Sequence, residues 1–133
     1  MFLHSLGDQE KKAFLVLAKL LANEDGRVDD RELQLIDLFL VETGLTKGDI
    51  PTDLAMESAI QKFQTAKSRY SCLIELVGLA LSDLDYAEEE RAFINKIADH
   101  FSIGEQNLLS IENWVRRMLA LALEAERFWE KEI

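Results

Sequence analysis

Carboxylates beside two predicted inter-helix turns are the residues of this chain whose types and spacing could do chemistry. Asp25 and Glu32 flank the first turn, and Asp83, Asp85 and Glu90 flank the second. Carboxylate oxygens are the ligands that hard divalent cations such as calcium and magnesium prefer. If the fold brings the two turns together, these five residues could converge on one ion. A divalent cation, calcium or magnesium, is the one cofactor that the sequence suggests.

The same residue types have a structural interpretation that stays open beside the metal site. Asp29 and Glu32 have the three-residue spacing of a helix-capping pair, as do Asp85 and Glu88. Acidic side chains in a first helical turn also stabilise the helix through its dipole. An EF-hand, in contrast, is excluded. With Gly26 at the sixth loop position, Leu21 occupies the first, where a ligating aspartate is required.

Catalytic chemistry is not expected. His4 lies at the N-terminus, His100 at a predicted helix end, and Cys72 in an apolar run typical of a buried thiol. The sequence contains no nucleophile constellation with catalytic spacing and no glycine-rich phosphate loop. We therefore predict no catalytic residues and no enzyme activity.

Helices must position the acidic turns, because the composition favours an all-α fold. A chain of 133 residues, 48% hydrophobic and with one proline, fits a single compact domain. The apolar periodicity predicts a bundle of about seven helices. Two of them, near 6–22 and 70–81, are apolar on almost every side and should lie at the centre. The others are expected near 29–43, 52–65, 87–100 and in a C-terminal region at 103–131, with a short turn near 46–51 and a break near 110. Further capping pairs are predicted at Ser5–Asp8 and Ser102–Glu105.

The C-terminal region carries one apolar stripe at spacings of three and four residues. Its members are Ile111, Trp114, Val115, Met118, Ala122, Ala125 and Trp129, whereas Glu112 is expected to lie away from it. We expect this amphipathic helix to pack on the body of the domain. The alternative is that the stripe binds a partner protein.

Both acidic turns belong to a repeating pattern. Asp25 and Asp83 are 58 residues apart, and so are Glu32 and Glu90. The same register pairs Leu15 with Leu73, Leu21 with Leu79, Ala22 with Ala80, Ile36 with Ile94, Leu45 with Ile103, and Ile50 with Leu108. We predict two related halves, at about 12–50 and 70–108, packed with approximate two-fold symmetry.

The first turn resembles the signature of TerB-type (tellurite-resistance) domains. In that signature a helix ends in an Asp-Gly pair, a hydrophobic residue follows two positions later, and a glutamate stands in the first turn of the next helix. Asp25, Gly26, Val28 and Glu32 match it. The segment from Leu79 to Glu90 is similar to the second copy of the motif, with Leu84 in place of the glycine.

This resemblance implies a single TerB-like domain over residues 1–133. It also implies a role in a stress-associated or envelope-associated protein complex, and divalent-metal binding through the acidic residues of the turns. We therefore predict a non-enzymatic module of this type. The alternative is a metal-free protein-protein interaction domain that uses the C-terminal amphipathic helix.

Charge narrows the choice of partners. The net charge is −10, so nucleic acids and anionic membranes would be repelled. No stretch approaches the roughly 20 apolar residues of a transmembrane helix, and the N-terminus lacks the pattern of a secretory signal. We expect a cytoplasmic protein with a protein partner, and homo-oligomerisation stays open.

Overall fold

The computed structural model describes residues 1–24, 26, 30–82 and 86–130. Over these residues the chain forms six α-helices and no strand. The helices are α1 (Asp8–Ala22), α2 (Asp30–Thr43), α3 (Met56–Ile60), α4 (Ala66–Ala80), α5 (Glu88–His100) and α6 (Glu105–Glu130), with 3-10 turns at Leu3–Ser5 and Lys47–Asp49. The predicted all-α bundle is confirmed, with six helices in place of about seven.

The two most apolar helices lie at the centre, as their sequences predict. α1 contacts α2, α3, α4 and α5, and α4 contacts α1, α5 and α6. Phe14, Leu17, Leu73 and Leu76 are completely buried. Because burying one such side chain stabilises the fold by about 1.5–3 kcal/mol, these two helices supply much of the core.

Three helices begin two residues later than their predicted capping pairs require. Asp8, Glu88 and Glu105 were expected at the third helical position, but each is the first residue of its helix. The capping partners of two of these helices are instead Glu10, which accepts from the Gly7 N–H at 2.8 Å, and Glu90, which accepts from the Ala87 N–H at 3.2 Å. The predicted pairs Ser5–Asp8 and Ser102–Glu105 are therefore wrong, and Asp85, of the predicted pair Asp85–Glu88, lies outside the described residues.

The third helix is much shorter than predicted, and its successor starts earlier. Thr65 is the N-cap of α4, where its hydroxyl accepts from the Ser68 N–H at 3.1 Å. An N-cap residue has a non-helical backbone, so a helix cannot continue through Thr65. The segment between α3 and Thr65 is consequently a turn.

The 58-residue register of the sequence also relates helix boundaries. α1 and α4 begin 58 residues apart and end 58 residues apart, and α2 and α5 begin with the same separation. The exits of α2 and α5 match in geometry as well. Gly44 and Ser102 both have a positive φ, of 74° and 58°. The next residue then donates its N–H to a carbonyl five residues earlier, from Leu45 to Leu40 and from Ile103 to Ala98. This is the Schellman arrangement of a helix C-terminus.

α6 packs on the body only as far as Leu119, the last of its hydrophobic side chains that packs against the core. Leu108, Ile111, Glu112 and Val115 are buried, whereas no residue from 116 to 130 is. The expectation that the whole stripe packs is therefore wrong, and the predicted break near 110 is absent from this continuous helix. The physical reason is length. α6 has 26 residues, about 39 Å, but its neighbour α4 has 15, about 22 Å.

None of the helices in the described parts of the chain combines the length and the apolar character needed to cross a membrane.

Candidate functional site

The predicted metal ligands divide into those that the structure describes and those that it does not. Asp25, Asp83 and Asp85 lie outside the described residues, as does the predicted cap Asp29. Glu32 and Glu90 are described, and both are buried, with 3% and 2% of their surface exposed. Within the described ranges, no group of three or more histidine, cysteine, aspartate or glutamate side chains is arranged to hold a metal.

The described flanks of the two turns lie next to each other. The Arg31 guanidinium, at the start of α2, donates to the Ser82 carbonyl oxygen just after α4, with a separation of 3.4 Å. A metal site shared by the two turns would require this proximity. Glu32 and Glu90 also hold equivalent places, because each is the third residue of its helix.

Glu90 has a structural task at this place. Its Oε1 accepts from the Ala87 N–H, the backbone group at the N-terminus of α5. A carboxylate used in this way satisfies a helix donor that would otherwise be unpaired. The structural interpretation of the acidic residues therefore holds for Glu90, with Ala87 at the N-cap.

A polar cluster at the α5–α6 junction was missed by the sequence argument. Glu112 is 3% exposed, and the Arg91 Nη1 lies 3.9 Å from its Oε2. The Arg91 guanidinium carbon also lies 4.3 Å from the centre of the Tyr86 ring. Burial, and next the charge of Glu112, raise the pKa of the Tyr86 hydroxyl. The missed signal is that Glu112 is three residues before the buried Val115 and so shares its helix face.

Cys72 is fully buried, as its apolar surroundings predict. Burial raises the pKa of its thiol well above the usual value, and the charge of Glu75 adds to this. Since the thiolate is the nucleophilic form, Cys72 is an unreactive core residue.

An apolar groove between α2 and α6 is the second feature that sequence reasoning did not find. It has a volume of about 430 Å³ and is lined mainly by aliphatic side chains. Leu38 and Val41 of α2 are 61% and 79% exposed there, opposite Met118 and Leu119 of α6. We call this the α2–α6 groove. Leu38 and Val41 are not among the buried residues of α2.

The exposed second half of α6 continues from this groove. We call residues 116–130 the α6 extension. Its large apolar side chains are mostly in solvent: Leu121 is 63% exposed, Leu123 57%, Phe128 75% and Trp129 60%. Leu121 and Phe128 are seven residues apart and so lie on the same side of the helix, whereas Leu123 lies on the side opposite Leu121.

No family model, no curated protein and no solved structure matches this chain. The resemblance to TerB-type domains is therefore carried by the residues of the two turns and by the 58-residue register. The features of the molecule that bear on function are the turns, the α2–α6 groove and the α6 extension.

Proposed function

We propose that this chain is a non-enzymatic, TerB-like protein-interaction module that binds its partner through the α6 extension. The observation that carries this proposal is the exposure of Leu121, Phe128 and Trp129 on a helix that is longer than the neighbour on which it packs. Large exposed apolar patches on a folded domain mark interaction surfaces. The resemblance to TerB-type domains suggests that the partner belongs to a stress-associated or envelope-associated complex and that this protein binds it in the cytoplasm.

Helix energetics support the same function. Isolated helices shorter than roughly 12–15 residues are marginal in water, and most helical stability comes from packing. The α6 extension has about that length and carries apolar side chains that the domain does not cover. Binding would bury them and hold the extension helical. Phe128 and Trp129 are of the residue type that dominates binding energy in protein interfaces.

The proposal is tested by photo-crosslinking in cells. A photoreactive phenylalanine analogue is placed at Leu121 or at Phe128, with the exposed Gln61 as the control position. We expect adducts of one discrete mass, identified by mass spectrometry, from both α6 positions and not from position 61. An absence of adducts, or equal yields at all three positions, would contradict an interaction function for the α6 extension.

A second candidate function is divalent-cation binding at the acidic turns. The contact between Arg31 and Ser82 supports it, because it places the flanks of the turns side by side. The shared position of Glu32 and Glu90 supports it as well. Binding would then use Asp25, Glu32, Asp83, Asp85 and Glu90 as predicted from the sequence, with calcium or magnesium as the ion.

Isothermal titration of the metal-free protein with calcium and then magnesium tests this candidate. The variant is Asp25→Asn/Asp83→Asn, and the charge-matched control is Glu124→Gln/Glu126→Gln on the exposed α6 extension. A Kd below about 100 μM, roughly −5.5 kcal/mol, that only the turn variant loses would establish the site. No heat, together with an unchanged melting temperature in millimolar cation, would leave these carboxylates as helix-capping and turn residues.

A further inference from the structure

We infer that the partner of the α6 extension is a second copy of this chain, with the two extensions packed antiparallel. This inference rests on the proposed function and names its partner. The first observation is spacing. Along one line of the α6 extension the apolar residues follow each other at intervals of three and four: Met118, Leu121, Ala125 and Phe128. This is the spacing by which two helices pack along a common seam.

Charge favours the α6 extension, over the rest of this acidic surface, as the place where two copies meet. The whole chain carries a net charge of −10, so two copies repel each other in most orientations. The α6 extension is balanced, since it contains three arginines, Arg116, Arg117 and Arg127, and three glutamates, Glu124, Glu126 and Glu130. It is therefore a segment through which two copies can approach without a net charge penalty.

The place of the domain body on α6 selects the antiparallel direction. The buried residues of α6 end at Val115, so the body lies at the N-terminal end of the extension. A parallel pair would bring two acidic bodies together at the same end of the seam, where their like charges repel each other. An antiparallel pair places the two bodies at opposite ends. When Leu121 of one copy is opposite Ala125 of the other, a large side chain faces a small one, which allows the two to interdigitate.

The same register accounts for the α2–α6 groove. Met118 of one copy lies opposite Phe128 of the other, and Met118 lines the groove together with Leu38 and Val41. Each copy would thus insert a phenylalanine ring beside the groove of the other, in a two-fold symmetric and self-complementary interface. Four rings, Phe128 and Trp129 of both copies, would bury roughly 600 Å² at their observed exposures. The aliphatic side chains of the extension and the groove add the remainder of the roughly 1,000 Å² that a specific interface needs.

Sedimentation equilibrium of the purified full chain at about 1–100 μM tests for the dimer. We expect a mass that rises with concentration from 15.2 kDa towards twice that value. The variant Leu121→Glu/Phe128→Glu should stay monomeric. The control Gln61→Glu/Gln64→Glu adds the same charge at exposed positions away from α6 and should still dimerise. Because the substituted α6 side chains are exposed, circular dichroism should show both variants folded. A wild-type chain that is monomeric throughout, or a control that dissociates like the α6 variant, would overturn the inference.

Cysteine crosslinking tests the direction. Cys72 is buried, so an introduced cysteine is the only accessible thiol. A mixture of Leu121→Cys and Ala125→Cys chains should form the mixed disulfide faster than either variant forms its own. Faster self-crosslinking would indicate a parallel pair and contradict the proposed register. If the wild-type chain is monomeric but positions 121 and 128 give adducts to another protein in cells, the second copy is refuted and the interaction function stands.

Discussion

Exchanging Gly44 and Ser102 should change stability in opposite directions, because the two residues hold equivalent places at the exits of α2 and α5. Both are exposed and both have a left-handed backbone, with φ of 74° and 58°. A side chain built on Gly44 would meet no atom within 4 Å, so its cost there is conformational rather than steric. Ser102 already bears that cost in the wild-type protein.

The size of the effect follows from two opposing contributions. A non-glycine residue in the left-handed region costs about 1–2 kcal/mol. Glycine in turn lowers the free energy of unfolding by about 0.4–1 kcal/mol relative to another residue, because an unfolded chain with glycine has more conformational entropy to lose on folding. Ser102→Gly should therefore raise the free energy of unfolding by about 0.5–1 kcal/mol, and Gly44→Ser should lower it by a similar amount. For a chain of this size the two melting temperatures should differ by roughly 4–8 °C.

Urea and thermal unfolding, followed by circular dichroism at low micromolar concentration, measure both variants. The double variant Gly44→Ser/Ser102→Gly should return close to the wild-type stability if the two turns are independent. A stabilised Gly44→Ser, or a destabilised Ser102→Gly, would refute the argument that backbone conformation controls these positions.

Three further predictions follow from burial and charge. Leu73→Ala, at a fully buried position, should lower the free energy of unfolding by about 2–5 kcal/mol. Leu121→Ala, at an exposed position, should change it by less than about 0.5 kcal/mol in the monomer. Equal effects of the two variants in urea unfolding would contradict the packing of α4 and α6. Burial, opposed by the N-terminal amine, raises the pKa of Glu75 above 4.5 in the folded protein. The contribution of Glu75 to stability is therefore complete below pH 4.5 and is lost as the pH rises through the raised pKa. Glu75→Gln should consequently make the free energy of unfolding depend less on pH above pH 4.5. An unchanged pH dependence would argue against this burial effect. The Cys72 thiol should react with Ellman's reagent at pH 8 only when urea unfolds the chain, and fast reaction of the folded protein would show that this part of α4 opens readily.

The sequence by itself determined the elements whose signals are local. The central places of α1 and α4 follow from segments that are apolar on every side, since such helices have no face to offer to water. On α5, the spacing of Phe93, Ile94 and Ile97 puts them on one helical face, and all three are buried. The 58-residue register can also be found in the sequence, because it compares residue types at a fixed offset and does not depend on which helices pack together.

Tertiary structure alone decided how far each helix is supported. The stripe on α6 reads as one continuous apolar face, but beyond Leu119 its side chains are mostly exposed, because α6 is much longer than its neighbour α4. Sequence periodicity reports which side of a helix is apolar and not how long its neighbour is. The capping carboxylates of α1 and α5 were misplaced by two residues for a related reason, because several carboxylates compete for each capping position and the backbone geometry selects one. The burial of Glu112 was likewise decided by its neighbours, Tyr86 and Arg91, which come from a different part of the chain.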